Sequence, residues 1–510
     1  MRFYFVHAAD LHLDAVLPFA TAAGDPAAAG NSLWREAPFQ ALRRLVDFCI
    51  ASRASLLLLS GDVYDSRQGS LKARLELRGA CQRLGEAGIR VFWARGNHDP
   101  LSEDNAFINW PDNLTVFDAA GQSYALDWQN GELGAPRLLA AGAGLAGQGA
   151  GKGAGPGTEP SVLVHGISHA GPRESENLAL HLRAAIENLC LPDAGGKGGR
   201  FSFGVLHCNV GGQSRPQGGS QSGAHENYAP CALTDLTAAP VDYWALGHIH
   251  QPGRLAEKPC VTYAGCPQGL HVRESGERGC WLGRVEDGRL AELEFYRLAP
   301  LRWERLELDL ADLPGFASEA GEDAVTLEEL EEFILREIQG FAAGIASAES
   351  QLPRNRGRKA GRSENGRSRE LALRLVLGGR SALDGLLRKS GNLDDLGARL
   401  NQRLREQAEA APSPARTLIK DIRLNTRPAV DLDEILAGDN LVAETLRRAL
   451  AVADSPDDGS RARECLALLD VLYTGNKGET WLAELKPGLA ELSELAREAG
   501  AVCLDLFEVE

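Results

Sequence analysis

Five short aliphatic runs in the first half of the chain end on the same few residue types. Arg2 to Ala9 breaks at Asp10-Leu11-His12, and Ser55 to Ser60 runs into Gly61-Asp62. Ile89 to Ala94 passes through Arg95 into Gly96-Asn97-His98-Asp99. Phe203 to Leu206 ends at His207-Cys208-Asn209, and Tyr243 to Leu246 ends at Gly247-His248-Ile249-His250. Such compact, continuous runs read as strands buried on both faces. Between the first three the apolar period changes. Phe39, Leu42, Val46, Cys49 and Ile50 share one helical face within Pro38 to Ala51, and Leu71 to Ala87 reads as a helix that Gly88 ends. Strands alternating with helices imply an α/β sandwich around a largely buried sheet. Ser161 to Ile167 is a further predicted strand.

In open α/β sheets the carboxyl edge of the strands is where ligands sit. Unpaired carboxylates and imidazoles are too costly to bury there for stability alone. Any one of these motifs is weak. Five in order are a strong signal, and five of the chain's eleven histidines fall within them. Asp-x-His and His-x-His in extended chain put both side chains on one face. Imidazole, carboxylate and one amide oxygen, without thiolate, suit manganese, iron or zinc at a catalytic site better than a structural zinc knot. Gly96 and Gly247 read as places where the backbone turns tightly beside the ions.

The totals fit an intracellular enzyme of more than one domain. The chain has 510 residues, a net charge of -16 and ten cysteines without a Cys-x-x-Cys pair. The acidic balance argues against nonspecific coating of nucleic acid or anionic membrane, and the scattered cysteines suit a reducing cytosol. Polar residues interrupt the first twenty positions, so neither a signal peptide nor a membrane span is expected.

On these residues the chain resembles the calcineurin-like metallophosphoesterase superfamily. Within it, the chain looks like the DNA-repair exonuclease branch of SbcD and YhaO. His7 to Asp14 and Tyr263 to Glu274 carry the likeness to the branch. The resemblance covers roughly residues 1 to 300. It implies a four-layered α/β/β/α metallophosphoesterase sandwich, with residues 301 to 510 as a C-terminal α+β accessory region for capping and partner docking. It implies two divalent metal ions, manganese foremost. Asp62 would bridge them, Asp10, His12 and His250 would complete one site, and Asn97, His207 and His248 the other. It assigns His98 a catalytic role without metal ligation, oriented by Asp99. The implied activity is metal-dependent exonucleolytic cleavage of DNA in the cytoplasm, by a possible homodimer working with an SMC-type ATPase of the SbcC class and without a membrane. The chain has no Gly-x-x-x-x-Gly-Lys-Ser/Thr motif of its own, so the ATPase would be a separate chain. The rival readings are a phosphodiesterase acting on a small nucleotide or lipid pyrophosphate, and a catalytically silent scaffold.

Two departures from the branch stand out. Asp14 occupies a position where many SbcD-type proteins carry Gly, and reads either as support for the ligands or as a solvated turn residue. Gly-rich inserts at 141–157, 194–199 and 211–223 read as surface loops. His7 reads as a hydrogen-bonded sheet histidine, and Arg95 as a phosphate neutraliser or a salt-bridge partner. His165, His169, His225 and His271 are weaker candidates. In the second half Thr326 to Phe341 reads as a helix opened by a Thr326–Glu329 capping box, and Leu371 to Leu377 as a strand. Asp439 to Ala453 and Pro487 to Ala499 look helical, and Ala501 to Glu510 alternates weakly. The basic stretch Arg354 to Arg369, within 350–370, reads as a disordered loop with some prospect of touching a DNA backbone.

Overall fold

The computed structural model describes residues 1–17, 31–65, 70–103, 108–140, 161–189, 199–211, 228–313, 326–351, 369–410, 415–428 and 432–453, with isolated positions beyond. His225, nearly all of the Gly-rich inserts, the basic stretch except Arg369, and the segments from 487 to 510 lie essentially outside the described residues.

Two sheets form the middle of the domain. The first has six strands in the order Arg289–Arg297, Gly279–Glu286, Arg2–Ala8, Ala54–Ser60, Arg90–Ala94 and Leu114–Val116. Its four N-terminal strands run parallel and the last two join as an antiparallel ribbon. The second sheet has seven strands, with Val162–Gly166, Phe201–His207, Tyr243–Gly247 and Cys260–Tyr263 parallel at its centre.

Alternation along the strands explains the layering. Phe3, Phe5, Leu56, Leu58 and Phe92 meet Val162, Val164, Phe201, Phe203 and Tyr243 in one buried cluster between the sheets. Phe5 sets its ring edge-on to Phe203 at 4.8 Å and to Tyr243 at 4.9 Å. The opposite side chains of the first sheet, Val6, Leu57, Leu59 and Trp93 among them, pack on helices Asn31–Ala51 and Leu71–Glu86. The outer face of the second sheet packs on helix Leu178–Glu187 through Leu178, Leu182 and Ile186. The order is helix, sheet, sheet, helix, the four-layered α/β/β/α sandwich expected.

The first helix begins seven residues before Pro38, where the periodicity placed its start. Trp34 is 2% exposed and meets the Trp303 ring edge-on at 5.2 Å, a packing contact that no local pattern announces.

The chain divides into two compact units. One comprises Met1–Glu307, Glu331–Val376 and Leu393–Arg423; the other comprises Leu308–Leu330, Leu377–Asn392 and Leu424–Glu510. In the C-terminal half, strands Leu301–Asp309, Arg369–Ser381 and Ala415–Pro428 form a three-stranded sheet. Thr326 and Glu329 exchange hydrogen bonds at the start of helix Leu327–Gln351, completing the expected capping box on a helix that ends ten residues later than expected. Among the described residues no helix is long and apolar enough to cross a membrane.

Candidate metal centre

The strand ends converge because the two sheets face one another with their parallel strands in common order. Asp10 follows the first strand, Asp62 the second, and Asn97 the third, while His207 and His248 follow two strands of the facing sheet. A ladder of backbone bonds fastens the first two loops together: Asp10 N donates to Gly61 O at 3.0 Å, His12 N to Asp62 O at 3.1 Å, and Leu13 N to Val63 O at 3.1 Å. Two glycines leave room for what crosses the gap. A Cβ on Gly96 would fall within the Asp62 carboxylate, and one on Gly247 within the carbonyl of Ser60.

Among the described residues, ligand atoms gather in three groups, each within 4.8 Å: Asp10, His12 and His250; Asp10, Asp62 and His207; and His250, Cys266 and Glu274, the first two made of expected ligands. Asp62 reaches both, with Oδ2 3.9 Å from His12 Nε2 and 3.2 Å from His207 Nε2. Asn97 joins the second group, its Oδ1 lying 3.0 Å from His207 Nε2. The His248 ring stands 5.3 Å from that of His207, and its backbone N–H donates to both Asp10 oxygens at 3.0 and 3.2 Å. All seven expected ligands are therefore in one cluster, with His248 at its margin.

The hydrogen bonds behind the ligands fix which nitrogens face inward. His207 Nδ1 donates to Ser60 O at 2.9 Å. His250 Nδ1 donates to Glu274 Oε1 at 2.7 Å. In the neutral rings the inward Nε2 atoms carry lone pairs. That of His207 faces two oxygens, and that of His250 faces His12 Nε2 at 3.2 Å. Atoms that face one another at this range need a proton or a cation between them. The same demand shows in the protonation. Burial would lower the His207 pKa, but the Asp62 and Asp10 carboxylates outweigh it and lift it to about 9. At His250 burial again pulls down, and Glu274 with Asp10 raises it to about 9. Asp10 is pushed up to about 6 by burial, against the pull of His250 and His207. Protons here occupy positions that divalent cations would take, so the donor set fits two such ions.

His98 stands apart from the ligands. Its ring meets that of His12 edge-on at 5.0 Å, and its side chain is 35% exposed. Asp99 does not orient it. One Asp99 oxygen accepts from Gly96 N at 2.7 Å and Asp62 N at 3.2 Å, the other from Val63 N at 2.7 Å, so adjacency in sequence misled. The carboxylate beside His98 is Asp65, 3.3 Å from Nδ1. Burial lowers the His98 pKa, and the bond to Asp65 with the charge of Asp62 overrides it, for a net rise.

Residues 3–252 match the calcineurin-like phosphoesterases. This part of the chain is similar to that family. An uncharacterized metallophosphoesterase of Bacillus subtilis strain 168, YhaO, is 30% identical over 309 residues, which is 60% of this chain and 63% of the relative. A dimetal phosphatase from Danio rerio is 11% identical and covers 58% of this chain and 99% of its own, with a TM-score of 0.29. The matched residues include all but one of the carboxylates and imidazoles gathered at these strand ends, Glu274 lying beyond them.

Three further histidines, His7, His165 and His169, are buried in hydrogen bonds away from the cluster's interior, while the His271 side chain is 49% exposed with Nε2 3.6 Å from Glu274. His7 is buried between the Tyr243 hydroxyl at 2.9 Å and Ser60 Oγ at 3.2 Å, a hydrogen-bonded sheet histidine. His165 bonds Ser123 Oγ at 2.7 Å. His169 Nε2 donates to the His207 carbonyl at 2.8 Å and so lies behind the cluster. Arg95 is buried with its guanidinium over the Trp93 ring at 4.6 Å. Gln268 is 1% exposed and grips the backbone of Leu301 through both its amide atoms, so it does not face a substrate. Glu274 and Asp65 are the two residues that the motifs alone did not single out. Asp65 lies three positions beyond Asp62, and Glu274 closes the Tyr263 to Glu274 stretch.

Proposed function

We propose that the chain is a metal-dependent phosphodiesterase acting on DNA, as an exonuclease in DNA repair. The observation that supports phosphoester hydrolysis is His98, held by Asp65 and open on one side, above a buried floor of carboxylates and imidazoles. Two divalent cations bound there would clamp the scissile phosphate and lower the pKa of water between them. The protein's own part is defined by its residues. Asp10, His12, Asp62, Asn97, His207, His248 and His250 would hold the cations. His98 gives a proton to the leaving oxygen or stabilises charge on the phosphate. Asp65 holds the His98 ring, and Glu274 and Ser60 hold the rings of His250 and His207.

The preference for DNA rests on the SbcD and YhaO likeness of residues 7–14 and 263–274. The same likeness supports manganese as the metal, a cytoplasmic location and an SMC-type ATPase as partner. A second copy of the chain is a further proposed partner. Leu71 and Leu75, 64% and 51% exposed, border a groove floored by Leu42 and Val46, a surface suited to such a contact.

The test is purified protein with manganese, end-labelled duplex DNA and a small chromogenic diester, beside Asp62→Ala. Duplex label lost only with Asp62 intact supports a DNA nuclease. Cleavage of the small diester alone moves the reading to a small-substrate phosphodiesterase. His98→Ala should keep its metal and lose on the order of 10²- to 10⁴-fold in kcat.

A further inference from the structure

We infer that Asp14 is a positioning residue that holds the Asp65–His98 pair over the metal cluster, and that this is why the position carries a carboxylate. The inference rests on phosphoester hydrolysis at this site and adds to it how the proton donor is kept in place.

The geometry is a continuation of the ladder between the first two metal loops. Its backbone rungs end at Leu13 N to Val63 O. The chain then turns, with Ala15 N donating to His12 O at 2.9 Å, so no further backbone rung forms. Asp14 extends the ladder with its side chain instead. Its Oδ1 accepts from Asp65 N at 2.7 Å and its Oδ2 from Ser70 N at 3.2 Å. One carboxylate thereby ties both ends of the 66–69 segment to the loop that carries Asp10 and His12. Asp65 in turn places its own carboxylate 3.3 Å from His98 Nδ1. Ser70 begins helix Leu71–Glu86 as its cap, its Oγ accepting from Ala73 N at 3.3 Å, so the far end of the tie is anchored in regular structure.

Glycine at this position has no side chain with which to make either bond. A carboxylate accepting two backbone N–H groups makes charge-assisted bonds, which are shorter and stronger than neutral ones. His98 is fixed on one side by its own N–H, which donates to Asp62 Oδ1 at 2.9 Å, and on the ring side by Asp65. A shift of Asp65 would turn the imidazole without moving any of the seven ligands. Among the described residues Asp14 bonds the N–H groups of Asp65 and Ser70 and none of the seven ligands, so its effect passes through Asp65.

The test compares Asp14→Ala and Asp14→Asn with wild type, using manganese and a small chromogenic phosphodiester, and repeats Asp14→Ala in an Asp65→Asn background. Misplacing a reacting group by about 1 Å costs on the order of 10²-fold in rate. Asp14→Ala should therefore lower kcat by about ten- to a hundredfold, with KM within about twofold and two metal ions retained. Asp14→Asn keeps an oxygen for Asp65 N and should recover most of that loss. In the Asp65→Asn background Asp14→Ala should change nothing further, because both act on the same ring. Losses that multiply in the double variant, a loss carried by KM, or a departed metal ion would overturn the inference. Amide exchange supplies an arm independent of turnover: Asp14→Ala should speed exchange at Asp65 and Ser70 by on the order of tenfold. Unchanged exchange refutes the clamp. A wild-type protein that hydrolyses no phosphodiester defeats the proposed activity instead, and the exchange arm still decides the clamp.

Discussion

Replacing Glu274 should weaken one metal ion and spare the other. Glu274 is 8% exposed, and its carboxylate lies 2.7 Å from His250 Nδ1 and is held by the Leu270 N–H. Arg278 reinforces the arrangement by donating to the carbonyls of both Glu274 and His250. Glu274 remains ionised: burial would raise its pKa, but the His250 ring and its hydrogen bond bring it far below the usual carboxylate range. An anion on Nδ1 fixes the ring and makes Nε2 a better electron donor. Loss of such a partner typically costs about 10- to 100-fold in metal affinity, or roughly 1.4–2.8 kcal/mol. The cost should fall on the ion held by Asp10, His12 and His250. The ion proposed at Asp62, Asn97 and His207 would depend instead on Ser60 O, which fixes the His207 ring from behind. Calorimetric titration of metal-free protein with manganese reads the two events separately. Glu274→Ala should weaken one by the amount above, and Glu274→Gln, which keeps an acceptor but no charge, by less. Equal weakening of both ions, or of neither, would refute the reasoning. A melting curve of the metal-free variant separates this from general loosening of the 264–278 loop.

Metal binding should be steeply pH-dependent. With His207 and His250 each at about 9 before metal arrives, cations must displace protons, so apparent affinity rises with pH up to about 9 and levels off above it. Titrations in buffers of different ionisation enthalpy should show release of about two protons per molecule near pH 7; a heat independent of buffer would contradict this. In the metal-free protein those raised values favour the folded state below pH 6.5, and that contribution should fade as pH rises toward 9, visible as a declining melting temperature once the other groups' titration is subtracted. Gly247→Ala should destabilise by about 1–3 kcal/mol and disturb the metal cluster, since its Cβ would strike Ser60 O and crowd His207; an unchanged melting curve and metal content would show that the strands can part.

The parts of this molecule that local pattern specifies were legible, and the parts that long-range contacts specify were not. Each ligand-bearing motif announces itself because a buried strand that stops at Asp, His or Asn has no stability reason to do so. Asp65 and Glu274 carry no such signal. Glu274 is 24 positions from the histidine it supports, and only the folding of the 264–278 loop brings them together. Asp99 shows the converse failure, for its place in the Gly96–Asp99 motif suggested service to His98 while the fold uses it to gather three backbone N–H groups.

Backbone strain marks the same boundary. Asp10, His12, Asp62 and His248 all have positive φ, between 40° and 98°, and they are four of the eight non-glycine residues with that conformation among those described. A residue held there costs of order 1–3 kcal/mol. Glycine would relieve the strain at any of the four, and would remove a ligand each time. The rungs Asp10 N to Gly61 O and His12 N to Asp62 O, with the His248 N–H bound to Asp10, hold three of these residues in place. Strain concentrated on the expected ligands, and braced by bonds between their own loops, is hard to explain as a device for stability. It is what a chain must accept to aim four side chains into one buried space, and it ties the fold to the cations more directly than any single distance does.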